Sequence, residues 1–198
     1  MFVTALLAAT LAAPVPKQKP QTCFFPHTVG TKWEYIHNGD VKKVWTKEVI
    51  EVADQDGVVR FKVAVTTDTG EKLFEWYQSK DGEVGLVKSA FGENDPPMPI
   101  LKGMMKAGDE WACEWVNTNG RLETTTKLTL TVGKPEELTT PAGQFTATPV
   151  TYTYSPPSGG SFTNWFADGV GVVRQTVRGV KEQSQELKSF TPAMDAEK

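Results

Sequence analysis

The chain has 198 residues, of which 39% are hydrophobic and 23% charged, and its formal net charge is −3. That length suits one domain burying roughly 70% of its unfolded surface, so a real core is expected without dense disulfides or a structural metal. Lys and Arg are interspersed with Asp and Glu, leaving no basic block of the kind that nucleic acid or an anionic membrane surface recognises.

Residues 1–13, MFVTALLAATLAA, are read as a signal peptide. The apolar run from Phe2 to Ala13 has the length of a signal core, is too short to span a bilayer, and ends in small residues before Pro14. No Lys or Arg precedes it. The Pro-rich residues 14–22 read as a solvated spacer, residues 23–190 as a single β domain, and residues 191–198 as a flexible tail. Export to the periplasm or beyond is the expected localisation. No lipobox precedes Cys23, and the mature chain has no further apolar run of spanning length, so neither a lipid nor a transmembrane anchor is expected. Cys23 and Cys113 are the two cysteines. In an oxidising compartment they read as a disulfide worth about 4–5 kcal/mol in the loop-entropy account, or as two free buried thiols.

From Pro26 onward the chain repeats runs rich in Val, Thr, Phe, Trp and Tyr, each closed by Gly, Asp or Asn. KWEYIH, VKKVWTKEVIEV, VVRFKVAVT, KLFEWYQ and EVGLVKS come first, with FGENDPPMP read as punctuation. EWACEWV, RLETTTKLTLTV, FTATPVTYTY, SFTNWFA, VGVVRQTV and EQSQELKSF follow, with PEELTTPAGQ read as a loop. Phe61, Val63 and Val65 share one face of their run, as do Leu128, Leu130 and Val132 of theirs, which is the period of a half-buried antiparallel strand. Asn-Gly and Asp-Gly pairs between runs predict tight hairpins. PILKGMMKAG is the nearest candidate for a helix, and Pro99 and its glycines keep it short. The predicted fold is therefore all-β with at most one short helix, an antiparallel meander of roughly ten strands forming a strongly curved sheet or unclosed barrel.

Aromatic residues recur at alternate strand positions, and Trp33, Tyr35, Trp76, Trp111, Trp115 and Trp165 are read as the candidate ligand contacts. Filling the core is their plainer role. The stretch NWFADGVGVVRQ, Asn164 to Gln175, reads first as a hairpin turning at Asp168-Gly169, with Gly171 letting the backbone pass a bulky neighbour such as Trp165. Catalytic signals are sparse. His27 and His37 lack metal-ligand spacing, no G-x-S-x-G elbow or complete G-x-G-x-x-G occurs, and Asp95, Asp109, Glu110 and Glu114 read as solvated carboxylates. No catalytic residue, metal site or cofactor is expected, and the chain reads as a non-enzyme.

FFPHTVGTKWEY, MKAGDEWACEW, TTPAGQFTATPV and NWFADGVGVVRQ occur in that order and together resemble an uncharacterised family of exported bacterial β-domains, the TapB-like domains. The resemblance covers about Phe24 to Phe190, with Thr140 where the family's turn has Val. More distantly it is similar to the LolA and LolB type of periplasmic lipoprotein carrier, which implies a curved sheet around an apolar cavity. The expectation is an exported, monomeric β-domain that binds an apolar ligand or an envelope component in its concave face. Two alternatives stand beside it: a structural or protein-interaction module using an open strand edge, and a hydrolase whose site carries no recognised motif.

Overall fold

A computed structural model describes residues 25–103, 105–156, 159–178 and 183–193. The expected signal peptide and spacer, Cys23 and most of the C-terminal tail lie outside them. Thirteen strands follow in chain order: β1 Lys32–His37, β2 Asp40–Gln55, β3 Val58–Thr66, β4 Lys72–Lys80, β5 Glu83–Ser89, β6 Gly92–Leu101, β7 Glu110–Asn119, β8 Leu122–Val132, β9 Glu136–Thr140, β10 Gly143–Tyr154, β11 Ser161–Ala167, β12 Gly171–Arg178 and β13 Gln183–Thr191. No helix occurs among the described residues. Pro99 to Leu101 complete β6, so the helix considered for PILKGMMKAG does not form there.

Every strand pair is antiparallel, and the expected unclosed sheet of roughly ten strands is corrected in two respects. First, the sheet closes: β1 pairs with both β2 and β13, β10 pairs with β11, and twelve strands form a barrel. Closure satisfies edges that an open meander would leave to another chain. Second, FGENDPPMP and PEELTTPAGQ contain strands. The first supplies most of β6, and the second supplies β9, which stands outside the twelve-strand ring and pairs with residues Gly143 to Ala147 of β10.

The closure has a weak seam. β6 meets β7 through Glu93↔Thr118, Asn94↔Asn117 and Asp95↔Val116, and no later pair joins them among the described residues. Pro96, Pro97 and Pro99 bring no N–H to the ladder, which is the reason proline belongs on an edge. Asn117 Nδ2 donates to Asn94 Oδ1 at 2.9 Å and Asn94 Nδ2 to the Leu86 carbonyl at 3.0 Å, pinning the seam where it exists. Beside it, Gly92 has φ +124°, and a Cβ there would stand 2.5 Å from the Thr118 carbonyl oxygen. Gly92→Ala is therefore expected to cost about 2 kcal/mol through backbone strain and collision. Chemical denaturation measures it, and a loss under about 0.5 kcal/mol, the size of an ordinary surface change, would refute the strain.

Alternate side chains fill the barrel. Phe61, Val63 and Val65 on β3 and Leu128, Leu130 and Val132 on β8 are all buried, as their period predicts. Tyr152 on β10 is fully buried and donates its hydroxyl hydrogen to the Ile100 carbonyl on β6.

Candidate lumen site

The filling leaves a cavity of about 190 Å³ between strands β11–β13 and β1–β6. It is lined by Trp33 and Tyr35 of β1, Lys47 of β2, Glu75 and Tyr77 of β4, and Gln175 of β12, among others. Strand alternation explains the set. Lys47 lies between Trp45 and Val49, and Glu75 between Leu73 and Tyr77, so each charge occupies the inward phase of its strand.

Lys47 Nζ stands 2.9 Å from Glu75 Oε2, and the Tyr77 hydroxyl donates to the same oxygen at 2.7 Å. The two side chains remain 26% and 22% exposed, so solvent reaches them although protein surrounds them. Burial presses the Glu75 pKa upward, but the Lys47 charge and the hydrogen bonds from Lys47 and Tyr77 outweigh it and hold the carboxyl below its ordinary value. Burial, with the Glu75 charge adding to it, pushes the Tyr77 and Tyr35 hydroxyls up, so both are neutral donors. Across the cavity Gln175 Nε2 donates to Asn164 Oδ1 at 2.7 Å, and the Gln185 carboxamide also faces the space.

The first and last motifs of the sequence meet at this wall. Trp33 Nε1 donates to the Val170 carbonyl at 2.6 Å, and the Tyr35 hydroxyl to the Val172 carbonyl at 2.8 Å. Between those carbonyls Gly171 has φ +95°, a conformation that disfavours any side chain. NWFADGVGVVRQ is thus a hairpin, with β11 and β12 paired on either side of its Asp-Gly turn. The aromatic groups that reach the carbonyls on either side of Gly171 are Trp33 and Tyr35. Trp165 lies on the opposite strand face from Asn164, where its indole donates to the Glu136 carboxylate.

The other candidate aromatics are scattered. Trp76 points away from the lumen that Glu75 and Tyr77 face, with Lys62 Nζ 5.1 Å and Lys88 Nζ 5.7 Å from its ring. Trp111 sits beside Lys102, whose Nζ is 5.4 Å from its ring, and its buried Nε1 has no hydrogen-bond partner among the described residues. Trp115 is core. Trp33 and Tyr35 alone of the six candidates line the lumen cavity. Sequence reasoning missed Lys47, Glu75, Asn164, Gln175 and Gln185, and the available signal was a charge or amide on the apolar phase of a strand.

Cys113 is a free thiol whose Sγ lies 3.7 Å from the Leu128 carbonyl. Burial pushes its pKa up to about 11, which leaves it a poor nucleophile at neutral pH. The disulfide reading gains no support, and its other member, Cys23, is outside the described residues. His37 packs on Trp45 with ring centroids 4.6 Å apart, while His27 stacks on Phe61 at 5.4 Å. Burial lowers the His37 pKa, with Asp68 opposing and Lys47 adding to the shift. The suspected carboxylates do not converge: Glu114 pairs with Lys127 at 2.7 Å, Asp109 accepts from the Lys106 amide at 2.8 Å, and Glu110 accepts from Thr131 at 3.4 Å. No group of three or more metal-ligating side chains comes together among the described residues.

No protein-family model matches this sequence, and neither does any curated protein. Two solved structures share its fold. One, from Parabacteroides distasonis ATCC 8503 and provisionally described as a lipoprotein, is 21% identical with a TM-score of 0.58, covering 87% of this chain and 100% of its own. The other, from Bacteroides fragilis NCTC 9343 and provisionally described as an exported protein with a YmcC-like fold, is 14% identical with a TM-score of 0.52, covering 86% and 99%. At those identities the likeness establishes the architecture that this chain shares with them, and nothing of its chemistry.

Proposed function

We propose that the chain is an exported, non-enzymatic β-barrel that binds a small molecule in its lumen. The observation that carries this reading is the Lys47–Glu75 pair on a solvent-reached cavity of about 190 Å³. Placing both charges inside the barrel costs desolvation that an apolar pair would avoid, so stability alone is a weak reason to keep them. A ligand that uses them is a better one. Export is supported by the leader read at residues 1–13 and by the descriptions of the two similar structures. Kinship with the TapB-like domains belongs to the same proposal and rests on the four sequence motifs. The Lol-type analogy contributes least, because the cavity falls below the ~300–1,000 Å³ of drug-sized pockets and is smaller still against an acylated cargo.

Native mass spectrometry of the mature protein from its own cell envelope tests the reading. A small adduct in stoichiometric amount is expected, lost on solvent extraction and abolished by filling the cavity with Gln185→Trp, with circular dichroism confirming that the variant is folded. An apo mass, together with no thermal shift from a library of small polar metabolites, would overturn it. The β6–β7 seam favours a second reading: the stretch of β7 from Glu110 to Trp115 pairs with β8 and has no described partner on its other side, an edge at which an extended peptide adds as a strand.

A further inference from the structure

We infer that the lumen selects a small zwitterion with an apolar body, an α-amino acid or a molecule built like one; this rests on the small-molecule reading above. Both hydrogen bonds that Glu75 accepts from side chains of the described residues end on Oε2, which leaves Oε1 to accept from a ligand. Lys47 gives one of its three ammonium hydrogens to Glu75 and makes no other described side-chain hydrogen bond. A ligand ammonium on Oε1 and a ligand carboxylate on Lys47 then complete a ring of four alternating charges without breaking the pair already present. An α-amino acid carries its ammonium and its carboxylate on one carbon, as the site presents its own two charges side by side.

Net charge is the discriminating term. The site is electrically neutral, so a bare amine gains Glu75 but faces Lys47, and a bare carboxylate gains Lys47 but faces Glu75. A zwitterion satisfies both. Leu86, Met98 and Ile100 give the cavity an aliphatic side for the body of the ligand, and about 190 Å³ limits that body to a single short side chain. The Gln175 and Gln185 carboxamides add neutral polar groups that orient without adding charge.

Calorimetric titration of the full chain with leucine, isopentylamine, 4-methylpentanoate and 4-methylpentanamide separates the classes. Leucine is expected to bind at least about tenfold more tightly than the amine or the acid, the size of one charge-assisted hydrogen bond. That preference should disappear in Glu75→Gln and in Lys47→Met, with circular dichroism confirming that each variant is folded. Equal or tighter binding of the amine, acid or amide would overturn the zwitterion assignment while leaving lumen binding intact. Leucine binding unchanged in both folded variants would overturn it as well. Absence of binding by all four at millimolar concentration would overturn it together with a lumen site for molecules of this size.

Discussion

Replacing Trp33 with alanine is expected to destabilise the fold by about 3–5 kcal/mol, the range for removing a large aromatic from a core. Trp33 is 3% exposed and packs its ring 6.1 Å from Phe25 and 6.0 Å from Phe190. It also ties β1 to the turn before β12, so alanine removes core volume and leaves the Val170 carbonyl without its indole donor. Two companion variants separate these effects. Trp33→Phe keeps most of the volume and should lose about 1–2 kcal/mol, the cost of an unsatisfied buried acceptor plus the smaller ring. Tyr35→Phe removes one hydroxyl from the neighbouring anchor and should lose about 1 kcal/mol. Urea denaturation with unchanged m-values reads all three. A Trp33→Ala loss below that of Trp33→Phe would mean that the β1–β12 contact does not hold this wall of the barrel.

That contact also marks where the sequence stops being legible. Alternation along RFKVAV and KLTLTV, and Asp-Gly between WFA and VGVV, are local patterns, and β3, β8 and the β11–β12 hairpin follow them closely. Trp33 and Val170 are separated by 137 residues, and nothing near either one specifies the partner. The same holds for β1 against β13, whose pairing completes one side of the ring. An unclosed sheet and a barrel share every local signal and differ in long-range pairs.

Proline-rich segments misled for a different reason. DPPMP reads as a turn because proline removes ladder donors, yet on β6 those prolines stand where β7 no longer pairs, so no donor is missed there. PEELTTPAGQ hides β9 because two Glu and two Thr have weak apolar alternation, although Leu138 is buried. The site was obscured by its own chemistry. Aromatic residues at alternate strand positions mark Trp33 and Tyr35 but equally Trp76, Trp111, Trp115 and Trp165, which do not line the cavity, whereas Lys47 and Glu75 look like ordinary surface charges until β2 and β4 fix which phase faces inward.

Lys47→Met alone is expected to cost about 2–3 kcal/mol, because it leaves the Glu75 carboxylate inside the barrel with the Tyr77 hydroxyl but no countercharge. The figure lies below the 3–5 kcal/mol range of fully buried pairs (about that for dry sites) because water still reaches both side chains. The double variant Lys47→Met/Glu75→Leu should recover most of the loss, since removing both charges also removes their desolvation cost. Acid titration supplies the independent sign. With its folded pKa held below the unfolded carboxylate value of about 4.3, Glu75 contributes stability that is fully present above that value. As pH falls past it the unfolded chain binds the proton first, and the contribution is lost as pH drops through the folded pKa. Glu75→Gln should therefore show a shallower fall in melting temperature between about pH 5 and pH 3 than the parent chain, with no comparable difference in slope between pH 6 and 7. Parallel acid limbs in the two proteins would mean that Lys47 and Tyr77 do not hold the carboxylate in its charged form. If the limbs diverge and the double variant is as stable as the parent, the pair contributes nothing net to folding, which leaves binding as the role that its charges serve.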